Sequence, residues 1–138
     1  MASEATLIFE TELPIPFTVA DGVGIEKGAI LKMTDPMTAV LADGDGDIIA
    51  GIAAEEKIAS DGNTKLAVYR RGIFKVLAGA AGITVGLVLD THASTGATNE
   101  VAVAPVTTGH RLGFALETAG DTETFLMELS PHHASANS

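Results

Sequence analysis

The stretch Gly24-Ile25-Glu26-Lys27-Gly28-Ala29-Ile30-Leu31 returns later in the chain as Gly82-Ile83-Thr84-Val85-Gly86-Leu87-Val88-Leu89. A second match follows each copy, Gly51-Ile52-Ala53-Ala54-Glu55 in the first half and Gly113-Phe114-Ala115-Leu116-Glu117 in the second. The glycines permit a turn with positive φ or the close approach of another strand, and the apolar residues that follow suit a buried strand. The repeat predicts a pseudo-symmetric barrel built from two related halves, with chance similarity in a chain rich in Gly and Ala as the alternative.

Short apolar runs, separated by Gly or Asp-Gly, extend this pattern along the chain. The runs lie at residues 29–33, 39–42, 48–54, 65–69, 73–78, 83–89, 101–106, 111–116 and 124–129. Eight or nine short strands with turn signals between them predict an all-β fold, either a small β-barrel or a β-sandwich. Residues 53–59 have a helical composition, and we interpret them as a strand running into a loop, with a short helix as the lesser option.

The composition supports short strands and a single domain. The 138-residue chain is 46% hydrophobic, yet it contains five Phe, one Tyr and no Trp, together with 15 Gly and five Pro. Its apolar volume therefore comes from small and β-branched side chains, which pack well where backbones approach closely. A chain of this length is expected to form one domain.

Charge and cysteine content narrow the classes of partner. The formal net charge of −10 opposes nucleic-acid binding, which needs clustered Lys and Arg. Five of the eight basic residues lie between Lys57 and Lys75, and Arg70 and Arg71 are adjacent there. This basic segment could meet an acidic patch of a neighbouring protein, although a solvated strand face is the main interpretation. The lack of Cys fits a reducing cytoplasm. We expect neither export by the usual signal nor a membrane span, because no apolar run approaches about 20 residues.

The two ends of the chain differ from its middle. Residues 1–20 are predicted to form an extended N-terminal arm, because Pro14 and Pro16 disfavour both a helix and a central strand. Phe9 and Phe17 are candidate anchors of this arm on another surface. Residues 21–130 are predicted to form the β-rich domain, and the small polar residues 131–138 a flexible C-terminal tail.

An ordered series of glycine-punctuated segments resembles the capsid cement, or head-decoration, proteins of tailed phages. The series comprises the unit at 24–31, Asp45-Gly46-Asp47-Ile48-Ile49-Ala50-Gly51-Ile52-Ala53, Arg71-Gly72-Ile73-Phe74-Lys75-Val76, Gly86, and Gly113-Phe114-Ala115-Leu116-Glu117-Thr118. The resemblance covers about residues 18–130. It implies a compact β-rich domain, usually trimeric, that binds the outer surface of the assembled major capsid protein lattice and strengthens the head against internal DNA pressure.

The resemblance also indicates a contact region and a location. In several such proteins the N-terminal arm engages the capsid, which makes the apolar arm residues the implied contacts; they are Leu7, Ile8, Phe9, Ile15 and Phe17. Arg70 and Arg71 are possible electrostatic contacts. The implied partners are the major capsid protein and two further copies of the chain, with no nucleic acid and no membrane. The implied location is the outer capsid surface, after assembly in the host cytoplasm.

Two clusters in the sequence could suggest a metal site. Asp43-Gly44-Asp45-Gly46-Asp47 mimics the start of a calcium loop, but the sixth and twelfth positions of such a loop hold Ile48 and Ala54 instead of Gly and Glu. A solvated acidic turn is the preferred interpretation, with weak calcium binding left open. His132 and His133 lie in the predicted tail, where nothing would orient them as ligands. We therefore predict no metal site and no cofactor.

Catalytic motifs are also weak. His92 and His110 stand alone near turns, and the chain has no Gly-x-Ser-x-Gly elbow. Glu55 and Glu117 occupy equivalent repeat positions and could form a carboxylate pair, but matched structural roles, such as pairing with Arg70, Arg71 or Arg111, are preferred. The stretch 79–82 lacks the Lys-Ser/Thr end of a phosphate loop.

These observations predict a virion structural protein and not an enzyme. Two alternatives stay open: another virion subunit, such as a tail or head-fibre protein, and a carbohydrate-binding or hydrolytic β-domain with its site at Glu55 and Glu117.

Overall fold

The protein is all-β in its computed structural model, which describes residues 4–44, 48–79, 82–91, 99–103 and 110–133. These residues contain no helix, so the predicted fold class is confirmed and the short helix at 53–59 is not formed. The strands are β1 (Thr6–Phe9), β2 (Ile15–Thr18), β3 (Ile30–Asp35), β4 (Thr38–Leu41), β5 (Ile49–Ala53), β6 (Lys65–Tyr69), β7 (Gly72–Ala78), β8 (Val88–Thr91), β9 (Glu100–Val103), β10 (His110–Ala115) and β11 (Thr124–His133).

The strands form two barrels in tandem. Strands β2-β4-β3-β5-β6 close into barrel 1, and β7-β9-β8-β10-β11 close into barrel 2 in the matching order, with β1 added to the outside of β7. The sequence repeat is thus real, but each half closes a barrel of its own, which corrects the expectation of one barrel shared by two halves. Closure depends on a short parallel contact in each half, Thr18 with Thr38 in barrel 1 and β7 with β9 in barrel 2.

Backbone details recur at equivalent positions of the two barrels. The matched pairs are the bridges Ile25–Lys57 and Ile83–Ala119, and the positive φ angles of Gly28 (90°) and Gly86 (88°), Met37 (51°) and Asn99 (55°), and Ser60 (60°) and Thr122 (66°). Positive φ is uncommon outside glycine, so its repetition at Met37 and Asn99, the residues just before β4 and β9, supports the equivalence of the two barrels.

Two glycines allow the strands to approach closely enough to close such narrow barrels. A Cβ atom on Gly51 would lie 2.0 Å from the carbonyl oxygen of Tyr69, and one on Gly113 would lie 2.0 Å from that of Glu128. The two glycines lie at equivalent strand pairs of the two barrels, β5 with β6 and β10 with β11. No other residue fits there without moving the backbone.

The two barrels share one continuous core. The interior of barrel 1 includes four buried alanines, as a narrow five-stranded barrel requires; they are Ala29, Ala39, Ala50 and Ala53. Strand β5 is buried along its whole length, because Ala50 and Ala53 face this interior while Ile49 and Ile52 pack into the core of barrel 2. The barrels therefore form one packed unit.

Residues 4–20 are built into this unit, which corrects the expectation that an extended arm over residues 1–20 is separate from a β-rich domain over residues 21–130. Strand β1 pairs with β7, and β2 pairs with β6 through four residue pairs that include Pro16 opposite Ala67. Ala67 donates its N–H to Glu55 Oε1 (3.1 Å) and accepts at its carbonyl oxygen from Ala54 N–H (2.9 Å). Because both groups point away from β2, the missing N–H of Pro16 costs no hydrogen bond to β6, and the strand forms in spite of its prolines.

The C-terminal end is also more ordered than the sequence predicted. Strand β11 runs to His133, so residues 131–133 belong to the sheet and not to a flexible tail. The side chain of His132 stacks on Phe114 with ring centroids 5.4 Å apart. This aromatic contact holds the end of β11 against β10.

Candidate functional site

The most conspicuous surface feature is a run of exposed apolar side chains near the N-terminus. Ile8 is 41% exposed, Phe9 63%, Leu13 77% and Ile15 40%. These four residues, here called the N-terminal strip, lie on β1, on the segment after it and at the start of β2. They make up four of the eleven exposed large hydrophobic residues in the described chain, although they fall within eight positions. The exposed apolar residues are therefore concentrated in one short stretch of the sequence.

Two of the predicted arm contacts lie elsewhere. Phe17 is 1% exposed and belongs to the interior of barrel 1, and Leu7 is half-buried against the core of barrel 2. Phe17 cannot reach another protein while barrel 1 is folded, which corrects its assignment as a contact residue. Leu13 was missed by the sequence analysis, although an apolar residue placed between Glu12 and Pro14 was a visible signal.

Backbone and side-chain contacts hold the strip in place. Ala5 donates its N–H to the Gly28 carbonyl oxygen (2.9 Å), and Leu7 pairs with Phe74 in the β1–β7 ladder. The Tyr69 hydroxyl donates to Glu10 Oε2 (2.9 Å). Burial and this hydrogen bond to a carboxylate raise the pKa of Tyr69. The strip is thus presented by an ordered segment, which lowers the entropic cost of binding through it.

The two adjacent arginines have structural partners. Arg70 Nη1 donates to the carbonyl oxygens of Ile49 (2.8 Å) and Ala50 (3.0 Å), and burial, followed by the charge of Arg71, lowers the pKa of Arg70. Arg71 is exposed, and its Nη1 donates to Ser130 Oγ (2.6 Å). Arg70 therefore ties β5 to the chain that connects the barrels, and Arg71 is the one of the pair with surface to offer a partner.

A buried lysine that the sequence analysis did not single out closes one end of barrel 1. The Lys57 side chain has 0% exposure, and its Nζ donates to Asp61 Oδ1 (2.6 Å), Asp21 Oδ1 (3.0 Å) and the carbonyl oxygens of Asp21 (2.9 Å) and Ile58 (2.7 Å). Burial alone would lower the pKa of Lys57, but the hydrogen bonds to Asp61 and Asp21 outweigh it and raise that pKa. The same contact, with a hydrogen bond from Asn63 N–H, lowers the pKa of Asp61.

This arrangement favours structure over chemistry. A lysine nucleophile or base requires a lowered pKa, whereas all the acceptors around Lys57 stabilise its charged form. The equivalent position in barrel 2 is Ala119, so the cluster is a feature of barrel 1 alone. Its sequence signal was weak because Lys57 lies in the stretch with a helical composition.

The two repeat-related glutamates have matching roles within their own barrels. Glu55 Oε1 accepts from Ala67 N–H (3.1 Å), and Glu117 Oε1 accepts from Leu126 N–H (2.9 Å). Each carboxylate thereby continues a β-ladder past its last backbone bond. The preferred interpretation of a symmetric structural role agrees with these contacts, but the partners are backbone amides and not the arginines that were suggested.

The remaining candidate residues do not converge. Asp43 bonds to Lys32 Nζ (2.6 Å), while residues 45–47 and His92 lie outside the described residues. Within the described ranges, no three His, Asp or Glu side chains are grouped so that they could hold a metal ion. The same ranges hold no helix of the length and apolar character needed to cross a membrane.

A surface groove lies beside the N-terminal segment. It has a volume of about 450 Å³ and is lined by both barrels and β1; the residues are Glu4, Ala5, Thr6, Leu7, Lys27, Gly28, Ala53, Tyr69 and Phe74.

Neither models of protein families nor curated protein sequences match the chain.

Proposed function

We propose that this protein is a virion structural component that binds the outer surface of the major capsid protein lattice as a trimer and stabilises the head by contact rather than by catalysis. The observation that carries the proposal is the N-terminal strip. It combines four exposed apolar side chains within eight positions with an ordered backbone, at the part of the chain that the resemblance to head-decoration proteins implies is in contact with the capsid.

The position of β1 supports a contact of this kind. Strand β1 pairs with β7 along one edge, and its place in the sheet order is terminal. A terminal strand offers backbone N–H and C=O groups along its free edge, to which an extended segment of another protein can add. Ile8 and Phe9 would then supply side-chain contacts beside the new backbone bonds.

The rest of the molecule suits a rigid spacer. Both barrels have buried apolar cores that meet, and the ionisable groups described above are bonded to backbone groups, to the Ser130 hydroxyl or to one another. Three copies held together would present three strips at once. Such multivalency can raise attachment about 10²- to 10⁴-fold over a single contact.

Substitution within the strip is the direct test, because deletion of residues 1–17 would remove Phe17 from the core of barrel 1. The double variant Phe9→Asp/Leu13→Asp should lose head binding, since complete burial of each side chain stabilises a contact by about 1.5–3 kcal/mol. The expected loss is about 30-fold or more for each subunit. The measurement is co-sedimentation with heads assembled from the major capsid protein of the same genome.

Ile58→Asp is the matched control, because Ile58 is 62% exposed but lies at the far loop of barrel 1, next to Lys57. It should bind heads as the unmodified chain does. Undiminished binding by the double variant, with circular dichroism showing intact folding, would reject the N-terminal strip as the contact. Recovery of the chain with tails instead of heads would reject the proposed function as a whole.

A further inference from the structure

Barrel 1 and barrel 2 of one chain contact each other, and the repeat allows the same kind of contact to be sought between two chains. One end of barrel 2 meets the outer face of barrel 1: Asn99 Oδ1 accepts from Ile30 N–H (3.1 Å), and Thr91 Oγ1 donates to the Gly44 carbonyl oxygen (2.8 Å). Ile30 and Ile52 of barrel 1 pack into the core of barrel 2 around these bonds. The contact is heterologous, since an end of one barrel meets a face of the other.

The equivalent end of barrel 1 is apolar and exposed. The repeat aligns Leu31 with Leu89, so that Met33 corresponds to Thr91, and the shared positive φ aligns Met37 with Asn99. Met37 is 47% exposed. Beside it, Ile48 is 48% exposed and accepts at its carbonyl oxygen from Met33 N–H (2.8 Å). Met33, Met37 and Ile48 form what is here called the methionine end of barrel 1.

The equivalent face of barrel 2 is also apolar. The repeat aligns Ile30 with Val88 and Ile52 with Phe114, and both Val88 and Phe114 are half-buried. Next to them, Val85 is 55% exposed, Leu87 37% and Leu116 41%. These five residues are here called the outer face of barrel 2.

The glycine turn beside each face is covered in barrel 1 and open in barrel 2. In barrel 1, Ala5 covers the Gly28 turn, and a Cβ on Gly28 would lie 2.4 Å from the Ala5 carbonyl oxygen. In barrel 2, a Cβ on Gly86 would meet nothing within 4 Å. The residues around this open turn are more apolar than their barrel 1 counterparts, with Val85 in place of Lys27 and Leu87 in place of Ala29. The face that is covered in barrel 1 is thus open and apolar in barrel 2.

We infer that a second copy of this chain occupies the outer face of barrel 2, with its methionine end in the position that the end of barrel 2 takes on barrel 1 within one chain. Each copy then uses its methionine end to bind one neighbour and its outer face of barrel 2 to bind another. The contact is therefore heterologous and can link several copies in series. Closure after three copies would give a ring of six barrels. The inference supplies an interface for the trimer of the proposed function, but it rests on the repeat within the chain and not on capsid binding.

The charge of the chain predicts how this contact responds to salt. Copies with a net charge of −10 repel one another, while the two surfaces that meet are apolar. Salt screens the repulsion and leaves the apolar contact intact. Association should therefore strengthen as ionic strength rises, which is the reverse of an interface built on ion pairs.

Light scattering after size exclusion, performed on the purified full chain without heads, tests the inference. The unmodified chain should exceed its monomer mass of 14.1 kDa and reach three times that mass if the ring closes. Met37→Asp and Leu116→Asp should each be monomeric, because each removes one side of the only contact. Asp tolerates positive φ better than Met, so Met37→Asp should fold. Ile58→Asp is the control and should associate as the unmodified chain does.

An equimolar mixture of the two variants distinguishes this contact from others. Each variant keeps the surface that the other has lost, so the mixture should form a one-to-one dimer and nothing larger. A monomeric unmodified chain at all concentrations, a dimer formed by either variant alone, or the lack of a dimer in the mixture would each overturn the inference. If Leu116→Asp does not fold, Val85→Asp replaces it in the same scheme. Head binding plays no part in these readings, so a chain that is monomeric in solution but still binds heads would overturn this interface and leave capsid attachment standing.

Discussion

Replacing Gly51, a buried glycine on β5, by alanine should strongly destabilise the protein. The new Cβ would lie 2.0 Å from the Tyr69 carbonyl oxygen, whereas ordinary contact begins at 3.4 Å, so β5 and β6 would have to separate by about 1.4 Å. Gly51 also has a φ of 149°, which an L side chain rarely adopts. Both effects act at the β5–β6 strand pair of barrel 1.

The expected magnitude follows from these two costs. Overpacking in a tight core costs about 1–3 kcal/mol, and a strained backbone conformation costs about 1–3 kcal/mol more. Together they reduce the free energy of unfolding by about 4 kcal/mol, which corresponds to a fall in Tm of about 10–20 °C for a chain of this size. Gly113→Ala has the equivalent clash without the positive φ, so its cost should be smaller, about 1–3 kcal/mol.

Thermal and guanidinium unfolding followed by far-ultraviolet circular dichroism provide the assay. Gly22→Ala is the control, because a Cβ there would meet nothing within 4 Å and should change stability by less than about 0.5 kcal/mol. The predicted order of destabilisation is Gly51, then Gly113, then Gly22. Equal Tm values for Gly51→Ala and Gly22→Ala would show that β5 and β6 do not approach as described.

Three further outcomes are expected. Lys57→Met should lower Tm at neutral pH, because it leaves Asp21 and Asp61 without their cation. The folded state lowers the pKa of Asp61, so the difference in Tm between the variant and the unmodified chain should become smaller as the pH falls below about 4. Because the folded state raises the pKa of Lys57, this difference in Tm should also become smaller at strongly alkaline pH. A difference in Tm that does not change with pH would exclude the ion-pair explanation. Asn99→Gly tolerates the positive φ but leaves the buried Ile30 N–H without its acceptor, so chemical unfolding should show a loss of about 1–3 kcal/mol, and no loss would mean that this bond does not join the barrels.

The repeat and the apolar runs predicted much of the fold. The predicted run at 65–69 coincides with β6, and its residues alternate between exposed and buried as a half-buried strand should. Glycine positions were also informative, because Gly28 and Gly86 share a positive φ at matched turns. These features are local, and local patterns are what a sequence displays most directly.

Barrel closure depended on contacts that no local pattern displays. Barrel 1 closes through a single parallel pair, Thr18 with Thr38, and one pair leaves no periodicity in the sequence. The prediction from the prolines was wrong for a related reason. Pro16 disrupts a strand only where its missing N–H would have bonded to the neighbouring strand. Its partner on β6, Ala67, bonds to Glu55 instead, and only the folded structure shows this. The expectation of a free arm followed from composition, whereas its ordering follows from long-range pairing.

The candidate site was predicted in part. Ile8, Phe9 and Ile15 are exposed as expected, while Phe17 is buried because its side chain faces the interior of barrel 1. Lys57 was not predicted, because its acceptors come from Asp21 and Asp61, and only the folded chain brings those residues together. Exposure and buried polar clusters are properties of the assembled fold.

Electron cryomicroscopy of heads incubated with the purified chain tests the central claim most directly. The proposed function predicts three two-barrel subunits grouped together on the outer surface, with Phe9 and Leu13 directed at the shell. Heads that stay bare at saturating protein, or subunits attached with the N-terminal strip facing away from the shell, would contradict it.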